Sequence, residues 1–260
     1  MTKSRFQMGL DITPQLRYTV GIFGTGRRME NLMAVYNAPL LKIDPGETRR
    51  YAGLMKAKDF DESLIEEACE SALLLAAPKG IWQVYDYDCE SQEIKAPPPC
   101  KILGKKIGEH LAGCDKVVLL SATVGEEIEE TVTKKFQEGE YAFSLLLDAA
   151  ATTAVEQLAD AMEKAIQPKA SAKGYDMRWR FSPGYGDWPL EQQPDILRLS
   201  HGEEIGMSLS ESLMLLPRKS ITAIIGLYKR NASMESPASH IAAKSCENCD
   251  KKDCPSRRER

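Results

Sequence analysis

The stretch EYAFSLLLDAAATTAVEQLADAMEKAIQ, from Glu140 to Gln167, runs 28 residues without a proline or a glycine. It reads as one long helix, the element that most limits how the rest of the chain can be arranged. Its alanines and threonines leave little side-chain bulk around Asp148 to Ala154, so another backbone or a ligand can approach closely there. Tight helix packing is the simpler of those two explanations.

On the N-terminal side of that helix the chain alternates helices and strands. Asp44 can cap a helix that starts at Pro45, and a second helix begins near Asp59 to Asp61 and runs to Pro78. In it Leu64, Ile65, Ala68, Cys69, Ala72, Leu73 and Ala76 recur at helical spacing and define a buried face. IWQVYDYDCE (Ile81 to Glu90) is rich in aromatic and β-branched residues and reads as a strand, ended by the prolines of APPPC. A helix near Lys105 to Leu111 leads to KVVLLSATVG, a buried strand, and then to a helix with Ile128, Val132 and Phe136 on one face.

On the other side, PKASAKG reads as a linker and DMRWRF as a strand. PDILRLS is a short helix, and EIGMSLSESLMLLPRKSITAIIGLY reads as two strands about Pro217-Arg218-Lys219, the second supported by the alternation of Ile221, Ala223, Ile225 and Leu227. Helices first and a hairpin last predict an α+β domain, not a doubly wound parallel sheet.

The chain of 260 residues is long enough to bury a substantial core, and 43% hydrophobic with 28% charged residues is a globular composition. A net charge of -4 predicts neither nucleic-acid nor anionic-membrane binding by bulk attraction. No run approaches the roughly 18 apolar residues of a membrane span, and Met1 to Leu10 lacks the apolar segment of a signal peptide. A cytoplasmic location is expected, which keeps the seven cysteines reduced. Cys69, Cys89, Cys100 and Cys114 are expected to be buried small hydrophobes.

The loop RFSPGYGDWP, Arg180 to Pro189, has the parts of a cradle for a small zwitterion. Arg180 can grip a carboxylate with two donors, and Pro183-Gly184 enforces a turn that exposes backbone groups. Tyr185 and Trp188 offer flat faces suited to a purine or a sulfonium-type cation. An ordinary proline-glycine turn with its aromatics packed into the core is the alternative.

Two further motifs carry chemistry. Cys246, Cys249 and Cys254 form C-x2-C-x4-C in a basic tail; thiolates at this spacing can share one metal, with a fourth ligand from His240, another cysteine or a second chain. An iron–sulfur cluster and zinc both fit, and so does a tail with free thiols. Gly21, Gly24 and Gly26 hint at a phosphate-binding turn, but Pro39 soon interrupts the helix that a nucleotide site would need.

The order R-x-x-P-G-Y, short helix, then IGMSLSESLMLLPRKSITAIIG resembles the activation (reactivation) domain of cobalamin-dependent methionine synthase, in which an Arg-x-x-x-Gly-Tyr loop binds S-adenosylmethionine. IDPGETRRYAGL resembles the opening of free-standing versions, and LLSATVGEEIEE and LLLDAAATTAVEQLAD resemble the middle. The resemblance covers about residues 42 to 230, leaving an N-terminal extension, 1–41, and a cysteine-containing tail, 231–260. It implies helices packed on a mainly antiparallel twisted sheet.

The resemblance further implies an accessory role, not a self-sufficient enzyme. In the fused enzyme this domain docks over the corrinoid and presents S-adenosylmethionine, while an electron from a flavodoxin- or ferredoxin-type donor reduces the cobalt. A chain of this length has no room for the modules that bind homocysteine, methyltetrahydrofolate and cobalamin. It would therefore serve a separate corrinoid methyltransferase, such as a split methionine synthase, with cobalamin on the partner or at the interface. By position, Arg180 pairs with the methionine carboxylate, and Ser182, Pro183, Gly184 and Tyr185 line the site. Glu156 accepts from an amine or hydroxyl, and Glu211 matches another recurring position, although strand alternation could send it to solvent. A non-catalytic scaffold with a metal-bearing tail is the rival reading. The expectation for Arg180→Ala is lost ligand binding with nearly unchanged thermal unfolding.

Overall fold

The computed structural model describes residues 35–37, 40–57 and 60–230, all within a unit that spans Asn31–Arg260. Asp44 caps the first helix, α1 (Pro45–Tyr51), by accepting from the Gly46 and Glu47 amides at 2.8 and 3.2 Å, with Pro45 at the first helical position. Asp61 does the same for α2 (Glu62–Leu75) through Ser63. Strands β1 (Lys79–Asp88), β2 (Glu93–Ile94) and β3 (Cys100–Lys101) follow, then α3 (Lys105–His110) and β4 (Lys116–Thr123). Next come α4 (Glu127–Gln137), the long α5 (Tyr141–Ala172) and β5 (Tyr175–Met177). A short helix α6 (Gln193–Ser200), β6 (Ser208–Leu209), β7 (Leu215–Leu216) and β8 (Ser220–Lys229) complete the order.

The main sheet has six strands in the order β3-β2-β1-β4-β8-β5, with every neighbouring pair antiparallel. This is the α+β arrangement expected from the sequence. The central strands β4 and β8 are buried on both faces because helices cover both. Val118, Leu120, Ala122, Ala223, Ile225 and Leu227 pack under α2, α4 and α5, whereas Val117, Leu119 and Ile224 pack under α3 and α6. Tyr36 and Leu40 join the first of these cores, and Tyr36 pairs with Gly80 at the edge of β1.

Four expectations need correction. PKASAKG is not a linker: α5 continues through Pro168 to Ala172, because Ala170 is buried and Lys169 lies over the Trp82 ring at 4.8 Å, contacts that offset the hydrogen bond lost at the proline. The hairpin about Pro217 does not form. Instead β6 and β7 pair with each other through a Ser210–Met214 turn, while β8 inserts between β4 and β5. Glu211 accordingly sits exposed in that turn and on no strand. Cys69, Cys100 and Cys114 are buried as expected, but Cys89 is exposed in the turn after β1. The small residues of α5 serve tight packing, with Ala150, Ala151 and Ala154 inaccessible to solvent.

Candidate functional site

The position of Arg180 follows from a defect in the sheet. Strand β5 pairs with β8 as Tyr175↔Lys229, Asp176↔Tyr228 and Met177↔Leu227. Continued in that register, Arg180 would stand opposite Ile224. Phe181 stands there instead, bonded to Ile224 in both directions at 2.9 and 2.8 Å. One extra residue has therefore been inserted between Arg178 and Phe181, which is a β-bulge. Because side chains alternate faces, the inserted residue moves Arg180 from the α3/α6 face to the α5 face, and Phe181 takes its place beside Trp188.

On the α5 face Arg180 meets a stripe of three carboxylates. Glu156, Asp160 and Glu163 are spaced i, i+4 and i+7 along the helix and so point the same way. Arg180 Nη2 donates to Glu156 Oε2 at 2.7 Å, and Nη1 donates to Asp160 Oδ1 at 2.6 Å and Glu163 Oε1 at 2.5 Å. Their depths differ: the Glu163 side chain is 2% exposed, against 28% for Asp160 and 34% for Glu156. Burial pushes the Glu163 carboxyl up, opposed by Arg180. Burial also works against the charge of Arg180, but Glu163, Asp160 and Glu156 more than offset it and hold the guanidinium protonated. Of this stripe the sequence motifs point only to Glu156; Asp160 and Glu163 carry the same helical spacing as a signal.

Glu163 also changes the expectation for Arg180→Ala. A carboxylate this deep would lose its only cationic partner among the described residues, so the substitution must disturb stability.

The loop beyond Arg180 is rigid at three points. Ser182 to Tyr185 form a turn closed by the Tyr185 amide donating to the Ser182 carbonyl at 3.2 Å, with Pro183 second and Gly184 third at φ 86°. These are the residues and the left-handed angle that a type II turn requires. Asp187 accepts from the Lys105 and Lys106 amides at 2.8 and 3.0 Å and thereby caps α3, whose own Gly104 has no side chain to do so. These two hydrogen bonds hold the Asp187 carboxyl below its usual range even though desolvation opposes them.

The third anchor is Trp188. It is 1% exposed, and its Nε1 donates to Gln192 Oε1 at 2.7 Å. The same Gln192 oxygen accepts from the Leu103 amide, and its Nε2 donates to the Lys101 carbonyl. Trp188 therefore has no face to offer a ligand, contrary to the sequence expectation, because this polar network and the core around Ile196 and Leu199 enclose it. Tyr185, in contrast, is 67% exposed. Pro183 is buried, while Gly184 is exposed and Ser182 partly so.

Cys246, Cys249, Cys254 and His240, and the Gly21, Gly24 and Gly26 turn, lie outside the described residues. Among the described residues no group of three His, Cys, Asp or Glu side chains is arranged to hold a metal ion. Among them, too, no helix is long and apolar enough to cross a membrane.

No protein-family model and no curated protein sequence matches this chain. Its structure is similar to the crystal structure of the MetH reactivation domain bound to AdoHcy, with a TM-score of 0.53 and 14% identity, over 78% of this chain and 80% of that one. At that identity the likeness is one of fold. The helices and mainly antiparallel sheet described above, with Arg180 turned toward α5 by a bulge, are built on the fold of the MetH reactivation domain.

Proposed function

We propose that this protein binds S-adenosylmethionine between the α5 carboxylate stripe and the Ser182–Tyr185 turn, and that it supports reductive remethylation of cobalamin held by a separate corrinoid methyltransferase. The observation that carries the reading is the Arg180 cluster beside an exposed Gly184–Tyr185 edge, on a fold whose solved neighbour binds AdoHcy. Three carboxylates against one guanidinium leave two negative charges in excess. That surplus suits a ligand whose sulfonium and ammonium outnumber its single carboxylate.

In this reading Arg180 binds the ligand's α-carboxylate, and Glu156 accepts from its α-ammonium. Tyr185, exposed at the turn, packs on the adenosine with the backbone of Ser182 and Gly184, while buried Pro183 holds the turn in shape. S-adenosylmethionine supplies an electrophilic methyl group on its sulfonium; the protein's task is to orient that group and exclude water from it. The chemistry belongs to the partner's cobalt, with a flavodoxin- or ferredoxin-type protein as reductant. Cys246, Cys249 and Cys254 would hold zinc or an iron–sulfur cluster, which the metal content of anaerobically purified protein decides.

Calorimetric titration tests the reading. S-adenosylmethionine and S-adenosylhomocysteine should each bind one site per chain, and adenosine much more weakly because it lacks the charged head. Absence of binding by both charged ligands removes the proposal. Capture of a cobalamin-loaded methyltransferase that depends on S-adenosylmethionine would support the partner role, and ligand-independent behaviour would refute it.

A further inference from the structure

Arg180 does not present an open guanidinium to an incoming anion, and its three partners are not equivalent. Asp160 and Glu163 share Nη1, whereas Glu156 alone takes Nη2. Among the described residues Nε carries no hydrogen bond. A carboxylate grips a guanidinium best along an edge with two donors, and the Nε–Nη2 edge is blocked by Glu156 only.

We propose that Glu156 is an exchangeable partner of Arg180, so that the free protein locks its own site and only a ligand bearing adjacent carboxylate and ammonium groups opens it without charge penalty. This rests on the binding reading above. The ligand carboxylate takes the Nε–Nη2 edge, and Glu156, the most exposed of the three acids, swings off to meet the ammonium on the adjacent α-carbon. Asp160 and Glu163 stay on Nη1 and keep the guanidinium in place; Glu163 is too deeply buried to leave. A ligand with a carboxylate but no ammonium would displace Glu156 and leave it unpaired, beside that carboxylate and Asp160. Like charges so placed oppose binding.

The exchange predicts a crossover that simple contact does not. The probes are S-adenosylhomocysteine and its deaminated analogue, in which adenosine is joined to 4-thiobutyrate, titrated into wild-type, Glu156→Gln and Asp160→Asn proteins. Glu156→Gln should weaken S-adenosylhomocysteine about tenfold yet bind the deaminated analogue about tenfold more tightly than wild type does, since no carboxylate is then displaced. Asp160→Asn, which acts on the other nitrogen, should give no crossover. If wild type binds S-adenosylhomocysteine but the deaminated analogue gains nothing in Glu156→Gln, or gains equally in Asp160→Asn, the exchange is wrong and the binding site stands. If wild type binds neither S-adenosylmethionine nor S-adenosylhomocysteine, both fall together.

Discussion

Replacing Arg180 by alanine removes three ion pairs at once, and they are not worth the same. Those to Glu156 and Asp160 involve acids about a third exposed, so each contributes about 0–1 kcal/mol. The pair to Glu163 is buried, and leaving a buried charge without its partner costs about 3–5 kcal/mol. We therefore expect Arg180→Ala to lose about 3–5 kcal/mol by urea unfolding at pH 7, with an unchanged m-value, and to lower Tm by about 6–20 °C.

The loss should also depend on pH. Without Arg180, burial acts unopposed on Glu163 and drives its folded-state pKa further above the usual carboxylate range. A raised folded-state pKa gives stability that is full below the unfolded value and lost as pH rises through the folded one. The deficit of the variant should therefore be smallest near pH 4.5 and grow toward neutrality. Adding Glu163→Gln should recover about 1–3 kcal/mol at pH 7, because the charge is gone even if one hydrogen-bond partner is missing. An Arg180→Ala protein that unfolds within about 0.5 kcal/mol of wild type at pH 7 would refute this account of the buried pair.

Two other sites give sharp expectations. Gly104 sits at φ 116°, and a Cβ there would lie 2.9 Å from the Asp187 carbonyl oxygen, so Gly104→Ala should cost about 1–3 kcal/mol in urea unfolding and displace the loop that carries Tyr185. A neutral effect would mean that this backbone approach relaxes freely. His110 donates from Nε2 to the Trp179 carbonyl at 2.9 Å; burial lowers its pKa, opposed by that hydrogen bond and aided by Arg178. A depressed folded-state pKa gives stability that is full above the unfolded value and lost as pH falls, so the urea midpoint of wild type should drop faster between pH 7.5 and 5.5 than that of His110→Phe. Parallel midpoints would show that His110 does not titrate with folding.

Much of the scaffold was legible because its signals are local. Asp44-Pro45 is a complete helix start within two residues, and the alternation of Ala223, Ile225 and Leu227 correctly identifies one buried face of β8. The β6–β7 turn was not legible. Pro217-Arg218-Lys219 has turn composition, whereas the real turn puts Leu213 at φ 62° and is held by the Ser210 hydroxyl, which accepts from the Met214 amide at 3.1 Å. A leucine in the left-handed region gives no warning in the sequence, since its cost is met by surrounding structure.

The site divides the same way. Arg180 and Glu156 stand in motifs, and Asp160 and Glu163 share the helical period of Glu156, a period that acids carry as visibly as apolar residues do. The fate of Trp188 depends on Lys101, Leu103 and Gln192, two of them more than 80 positions away, so composition alone left it equally suited to a ligand or to the core. Least legible is the bulge. Nothing between Arg178 and Phe181 marks it, because an insertion in β5 exists only relative to the register of β8. Yet it decides which side chains Arg180 meets. In regular register Arg180 would face Ile224 and the apolar core under α3 and α6, away from the acids of α5. Displaced by one residue, it faces a helix that carries three, and the stripe on α5 meets its guanidinium only because the edge strand is irregular.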